Sequence, residues 1–214
     1  MIKEPVSGFT HMFGALLGIA GLSVLVTLAA KNATVWHVVS FAIFGSTMIL
    51  LYTSSALYHL LVLNEKGELF FKRMDHIMIY MLIAGTYTPF CLVPLRGGWG
   101  FSILGVIWGF AIAGIFFKIF WINAPRWTST ALYLLMGWVV IVAIVPLSKA
   151  LPSGGMAWLV AGGLSYSIGA VIYATKKPDP FPGVFGFHEI WHVFVLAGTI
   201  CHFISMYSYI LLIP

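Results

Sequence analysis

Seven long, almost uninterrupted apolar runs leave this chain few ways to fold. They cover approximately residues 9–30, 35–61, 74–95, 99–121, 127–148, 156–175 and 186–213. Each reaches the ~20 residues that cross a ~30 Å hydrocarbon core at 1.5 Å per residue. Inside a bilayer every backbone donor and acceptor must be satisfied within the protein, so only helices and closed barrels span it. Barrel strands alternate apolar and polar side chains, and these runs do not alternate. The expected fold is all-α: a polytopic membrane protein of seven transmembrane helices, forming one domain over residues 1–214.

Composition closes the alternatives. Only 8% of the 214 residues are charged and 61% are hydrophobic, against about 25% charged in soluble domains. A soluble enzyme, a disordered chain and a disulfide-stapled secreted domain are excluded. The excess of 11 Lys and Arg over 6 Asp and Glu invites a nucleic-acid reading, but tracking phosphates needs clustered cations. The longest basic runs here are the pairs Lys72-Arg73 and Lys176-Lys177, so no nucleic-acid partner is expected. Cys91 and Cys201 lie inside apolar runs and read as small buried hydrophobes. The first run has the outline of a secretory signal but is longer than a signal core, so it is read as a true span.

Loop charge sets the orientation. One side of the membrane receives Lys3, Lys66, Lys72, Arg73, Lys118, Arg126, Lys176 and Lys177, and the other receives Lys31, Arg96 and Lys149. The positive-inside rule then places the N-terminus in the cytoplasm and, after seven crossings, the C-terminus outside. Pro89 falls inside the third run and Pro146 near the end of the fifth. Both read as packing kinks that neighbouring groups must satisfy.

Ionisable side chains at the rims of apolar runs are costly and tend to be functional. His59 ends the second run, Asp75 begins the third, and His188 and His192 begin the seventh. The alternating direction of the helices brings all four to one level, at the cytoplasmic side. His188 and His192 are four apart, so both imidazoles leave one helix face about a turn from each other. With His59 they form a three-imidazole set of the kind that holds catalytic zinc with one position open. Nickel, copper and iron also accept such ligands. Asp75 would hold a reacting water or act as general base, and Ser55, one turn before His59, would support a ligand or the water by hydrogen bonding. Each of these residues has an ordinary reading alone: a histidine at a helix end snorkels to water, and an aspartate at a helix start answers the dipole. Their shared depth favours the joint reading. His37 reads as interfacial, His202 is too far along its helix to join the set, and His11 and His76 lie on the right side without a paired spacing.

Ser55-x-x-x-His59, Asp75, the stretch Ala84-Gly85-Thr86-Tyr87-Thr88-Pro89 and His188-x-x-x-His192 together resemble the bacterial haemolysin III group. That group belongs to the progestin and adipoQ receptor family, which includes the adiponectin receptors and is related to the alkaline ceramidases. The resemblance implies zinc held by His59, His188 and His192, with Asp75 reaching it through water and Ser55 nearby. It also implies hydrolysis of a lipid amide in a cavity within the bundle, as in the receptor and ceramidase branches, or a role in membrane-lipid homeostasis. The chain lacks the receptors' long N-terminal cytoplasmic region, which puts receptor signalling in doubt. The leading expectation is a zinc-dependent hydrolase of a membrane lipid, in a bacterial plasma membrane. Competing readings are a lipid-state sensor with structural zinc, a pore, and an intramembrane protease. The protease reading rests on the H-E-x-x-H match at His188–His192, with Glu189 as base.

Overall fold

The structure, a computed structural model, describes residues 3–214 and is helical throughout. In chain order the helices are α1 (Pro5–Asn32), α2 (Val35–Leu60), α3 (Glu65–Leu92), α4 (Gly98–Phe120), α5 (Arg126–Trp138), α6 (Ile144–Ala150), α7 (Ser153–Thr175) and α8 (Phe187–Ser208). A 3₁₀ stretch, Val139–Ala143, joins α5 to α6, and a short one, Ile210–Leu212, follows α8. Helices α1 to α4 each pack on the next, as do α7 and α8, while α5 pairs with α7 and α8 returns against α1 to close the bundle.

Six stretches are long and apolar enough to span a membrane: α1, α2, α4, the combined Arg126–Ala150, α7, and α8 with its extension. Helix α3 is as long as α1, at 28 residues, but is less apolar. Its first turns are charged and its second half is enclosed by α2, α4 and α5, so it has little need of a lipid-compatible surface. The bundle is inside-out relative to a soluble protein. Its exterior presents Phe13, Leu16, Phe116 and Val142, while Ser7, His11, Ser55, His59 and Thr199 are buried.

Helix α3 starts earlier than the apolar run suggested. The Asn64 side chain caps it by accepting from the Gly67 N–H at 2.9 Å, and Glu65 and Glu68 sit in the first turn, where the helix dipole favours acids. Asp75 is therefore well inside α3 rather than at its start, and the dipole does not account for it.

The fifth span breaks just before Pro146. Proline has no N–H to donate and its ring crowds the carbonyl four residues back, and here the stretch before it, Val139–Ala143, is 3₁₀ rather than α-helical. Tyr87, reaching across from α3, repairs the break. Its hydroxyl donates toward the Met136 and Gly137 carbonyls, at 3.0 and 2.7 Å, and accepts from the Val140 N–H at 2.9 Å. Pro89, by contrast, leaves α3 continuous.

Helix α1 lies close to α2 because glycines face it, the usual device for tight helix approach in membranes. A Cβ on Gly14 would stand 3.0 Å from the Tyr52 ring. The Tyr52 hydroxyl donates to Thr199 Oγ1 at 2.7 Å, and the Tyr166 hydroxyl meets the same oxygen at 2.7 Å. This network ties α2, α7 and α8 together.

Two histidines outside the predicted set are structural. His37 is buried rather than interfacial: its Nδ1 meets Thr34 Oγ1 at 2.9 Å in the α2 cap, and its Nε2 bonds the Ile210 carbonyl at 3.1 Å. His202 bonds the Leu159 carbonyl through Nε2 at 3.2 Å.

Candidate metal centre

His59 lies in the last turn of α2, and His188 and His192 in the first two turns of α8. The bundle brings these helix ends together. Ring centroids are 5.0 Å apart for His59–His188, 4.9 Å for His59–His192 and 4.6 Å for His188–His192. One nitrogen from each lies within 4.8 Å of the others, against roughly 3.3 Å between nitrogens on a tetrahedral zinc with ~2.0–2.1 Å bonds. A metal held by all three would draw these nitrogens closer together.

Hydrogen bonds from behind orient two of the rings. His59 Nδ1 is paired with the Glu4 carboxylate, and its Nε2 is buried without a hydrogen-bond partner among the described residues. His192 Nδ1 meets the Ser7 carbonyl at 3.3 Å. Since carboxylate and carbonyl only accept, both rings carry their proton on Nδ1 and leave the Nε2 lone pair for the centre. Metal-binding histidines use this arrangement to fix tautomer and direction. A buried, unpartnered imidazole nitrogen beside two more imidazoles, with no thiolate, fits a borderline cation such as zinc.

The Glu4 and Ser7 contacts come from a segment that sequence reading did not single out. Residues 3–7 lie across the end of α2, where the Glu4 N–H donates to the His59 carbonyl at 2.9 Å. Lys3 pairs with Glu68 of α3 at 2.7 Å and stands 4.3 Å from the Tyr58 ring centroid. Ser7 Oγ donates to Glu189 Oε1 at 2.7 Å. The bond from His59, outweighing partial burial, holds the Glu4 carboxyl below the usual carboxylate range, so it accepts at neutral pH.

The other predicted residues divide. Asp75 lies outside the convergent nitrogen set, but it lines the same cavity as His188 and His192, and its Oδ2 stands 3.7 Å from His76 Nδ1. Ser55 is fully buried, and its Oγ has no hydrogen-bond partner among the described residues. Glu189 is engaged elsewhere: besides Ser7, it accepts from the Gly186 N–H at 2.8 Å as part of the α8 cap. His11 proves closer to the centre than its isolated spacing indicated. Its ring stacks on His192, with centroids 3.7 Å apart and planes within 8°.

His188 and His192 line a cavity of about 610 Å³ walled mainly by α3, α5, α7 and α8, with Lys118 of α4 also on its wall. Near the centre its wall is polar, with His11, Asp75 and His76; further in it is apolar, with Leu82, Ile83, Phe90, Ile141 and Val160. The volume suits a chain-like ligand.

The sequence profile described as "Haemolysin-III related" matches residues 1–203. The chain belongs to the haemolysin-III-related family. It is 43% identical over 214 residues to the "Hemolysin-3 homolog" of Bacillus subtilis (strain 168), covering 100% of this chain and 97% of that protein. It is 44% identical over 211 residues to "Hemolysin-3" of Bacillus cereus, covering 98% and 93%. The human "Monocyte to macrophage differentiation factor" is 24% identical over 212 residues, covering 97% of this chain and 84% of that protein. Family membership and the apolar helices make this a multi-pass membrane protein.

Proposed function

We propose that this protein is a zinc-dependent hydrolase of an amide-linked membrane lipid, with His59, His188 and His192 holding the metal at the cytoplasmic end of one seven-helix bundle. The observation that carries this reading is the pairing of His59 Nδ1 with Glu4 and of His192 Nδ1 with the Ser7 carbonyl. It leaves the opposite nitrogens free to accept a metal, beside a largely apolar cavity that His188 and His192 line. Helix α3 is counted as the seventh crossing, since 28 residues extend about 42 Å at 1.5 Å per residue. The N-terminus is then cytoplasmic and the C-terminus external, in keeping with the lysine and arginine distribution.

When bound, zinc supplies a Lewis acid and lets water act as a nucleophile near neutral pH. The chain's residues do the rest. The apolar wall takes the acyl chain by burial, which carries the scissile carbonyl to the head of the cavity. Asp75 accepts the proton of the attacking water and returns it to the leaving nitrogen, so amide and water become carboxylic acid and amine. Ser55 supports the His59 side of the site from the preceding turn of α2.

The protease reading is weaker. In H-E-x-x-H enzymes the glutamate is the base, whereas the Glu189 oxygens serve Ser7 and the α8 cap.

The test is metal analysis of the purified protein beside His59→Ala, His188→Ala and His192→Ala, joined to release of fatty acid from a ceramide in mixed micelles. The proposal expects zinc and turnover in the parent and loss of both in each variant. Equal metal content in all four removes the site. Zinc without turnover of any N-acyl lipid makes the ion structural.

A further inference from the structure

The cavity carries more positive charge than hydrolysis requires. Lys118, near the end of α4, was counted above as a loop cation, yet it is only 2% exposed. Its ammonium donates to Ser129 Oγ at 2.6 Å, and among the described residues it forms no ion pair. Lysines at membrane rims ordinarily extend to water, and a buried ammonium whose partners are one hydroxyl and the Phe117 ring, 5.4 Å to its centroid, is costly without a counter-charge. Arg126, one turn before Ser129 on α5, lines the same cavity. Its guanidinium stands 4.7 Å from the Tyr173 ring centroid and 5.1 Å from that of Phe187, and its Nη1 is buried without a partner. Lys72 of α3 also lines this wall, within electrostatic reach of Lys118. The carboxylate among the cavity's lining residues is Asp75. Three cations from α3, α4 and α5 therefore share one cavity with a single acid, and the apolar wall begins beside them at Ile79, Ile83 and Leu134.

We infer that the cavity binds an anionic amphiphile, with a phosphate-bearing headgroup on Lys72, Lys118 and Arg126 and the hydrocarbon tail along the apolar wall. A phosphate offers several acceptor oxygens and more than one negative charge, which matches two ammonium groups and a guanidinium fork better than one carboxylate does. This site rests on the cation cluster and the cavity, and it stands or falls apart from the metal.

The experiment follows thermal unfolding of the purified protein in a neutral detergent with dodecyl phosphate, inorganic phosphate or dodecyltrimethylammonium. Dodecyl phosphate raises the midpoint, reaching about a 100-fold shift in the folding equilibrium near 100 times its Kd, and the other two do not. Lys118→Met weakens binding about ten-fold or more, as expected for loss of a charged hydrogen-bond donor. Its ligand-free midpoint is no lower than the parent's, because an unpaired buried charge has gone. Lys118→Arg retains binding. Lys72→Gln, at a half-buried position, weakens binding as well and carries the test if Lys118→Met fails to fold. His59→Ala binds dodecyl phosphate as the parent does. Equal protection by inorganic phosphate would reduce the site to a simple anion site and overturn the lipid assignment. Equal protection by the cationic amphiphile would leave only the tail. Unchanged affinity in both lysine variants, or binding lost with His59, would remove the cation cluster as the receptor.

Discussion

Glu4 offers a sharp check on the metal centre, because it lies outside the ligand set and yet orients one ligand. Two replacements separate its contributions. Glu4→Gln keeps an acceptor for His59 Nδ1–H and removes the charge; Glu4→Ala removes the bond altogether. A hydrogen bond involving a charged group contributes about 1.5–3 kcal/mol. The Glu4 side chain is 42% exposed, and water screens such a charge, so the lower end of that range applies. Loss of the charge alone is therefore expected to weaken zinc binding about ten-fold, near 1.4 kcal/mol. Glu4→Ala also leaves Nδ1–H of the fully buried His59 without a partner, and affinity should fall further, by about 100-fold. Competitive titration of the purified variants against a chelator of known zinc affinity reads both values, with circular dichroism to establish that each is folded. Folded Glu4→Ala that binds zinc within two-fold of the parent would refute the reasoning. So would Glu4→Gln losing as much as Glu4→Ala.

Tyr87→Phe removes the hydroxyl that serves two carbonyls and an N–H at the break in the fifth span. Leaving buried polar groups unmet at about 1–3 kcal/mol each should destabilise the protein by roughly 2–5 kcal/mol, seen as a lower unfolding midpoint with zinc content unchanged in the folded fraction. His11→Phe keeps the stack on His192 and removes nitrogens that lie outside the convergent set, so metal analysis should return the parent's value; loss of zinc would make His11 a ligand. Glu189→Gln should retain zinc and lipid turnover, since the amide oxygen can still accept from Ser7 or Gly186. Abolished turnover with zinc retained would revive Glu189 as a base.

The convergence of His59, His188 and His192 was legible in the sequence because two rules act together. A four-residue spacing on α8 gives a shared face, and alternating helix direction gives a shared depth with the end of α2. Glu4 and Ser7 were not legible. Their partners lie 55 and 185 positions away, and one of the two contacts uses a backbone carbonyl that any residue would supply. The start of α3 was missed because charged residues 65–73 interrupt the apolar pattern while remaining good helix formers. Pro146 announced a disturbed fifth span, but the position of the break depends on Tyr87 reaching over from another helix. Lys118 was counted as a loop charge because its sequence neighbourhood resembles a helix end, and only packing against α5 encloses it.

Residues 3–7, which brace two imidazoles from behind, have a consequence for biogenesis. The brace lies just ahead of α1, and of the two imidazoles it serves one, His59, is on α2 and the other, His192, is on α8. A polypeptide without α8 presents His59 without His188 and His192, so on the proposed metal site zinc uptake would report that residues 3–7 and α8 have met. A bulky insertion directly ahead of Lys3 would press on the same junction.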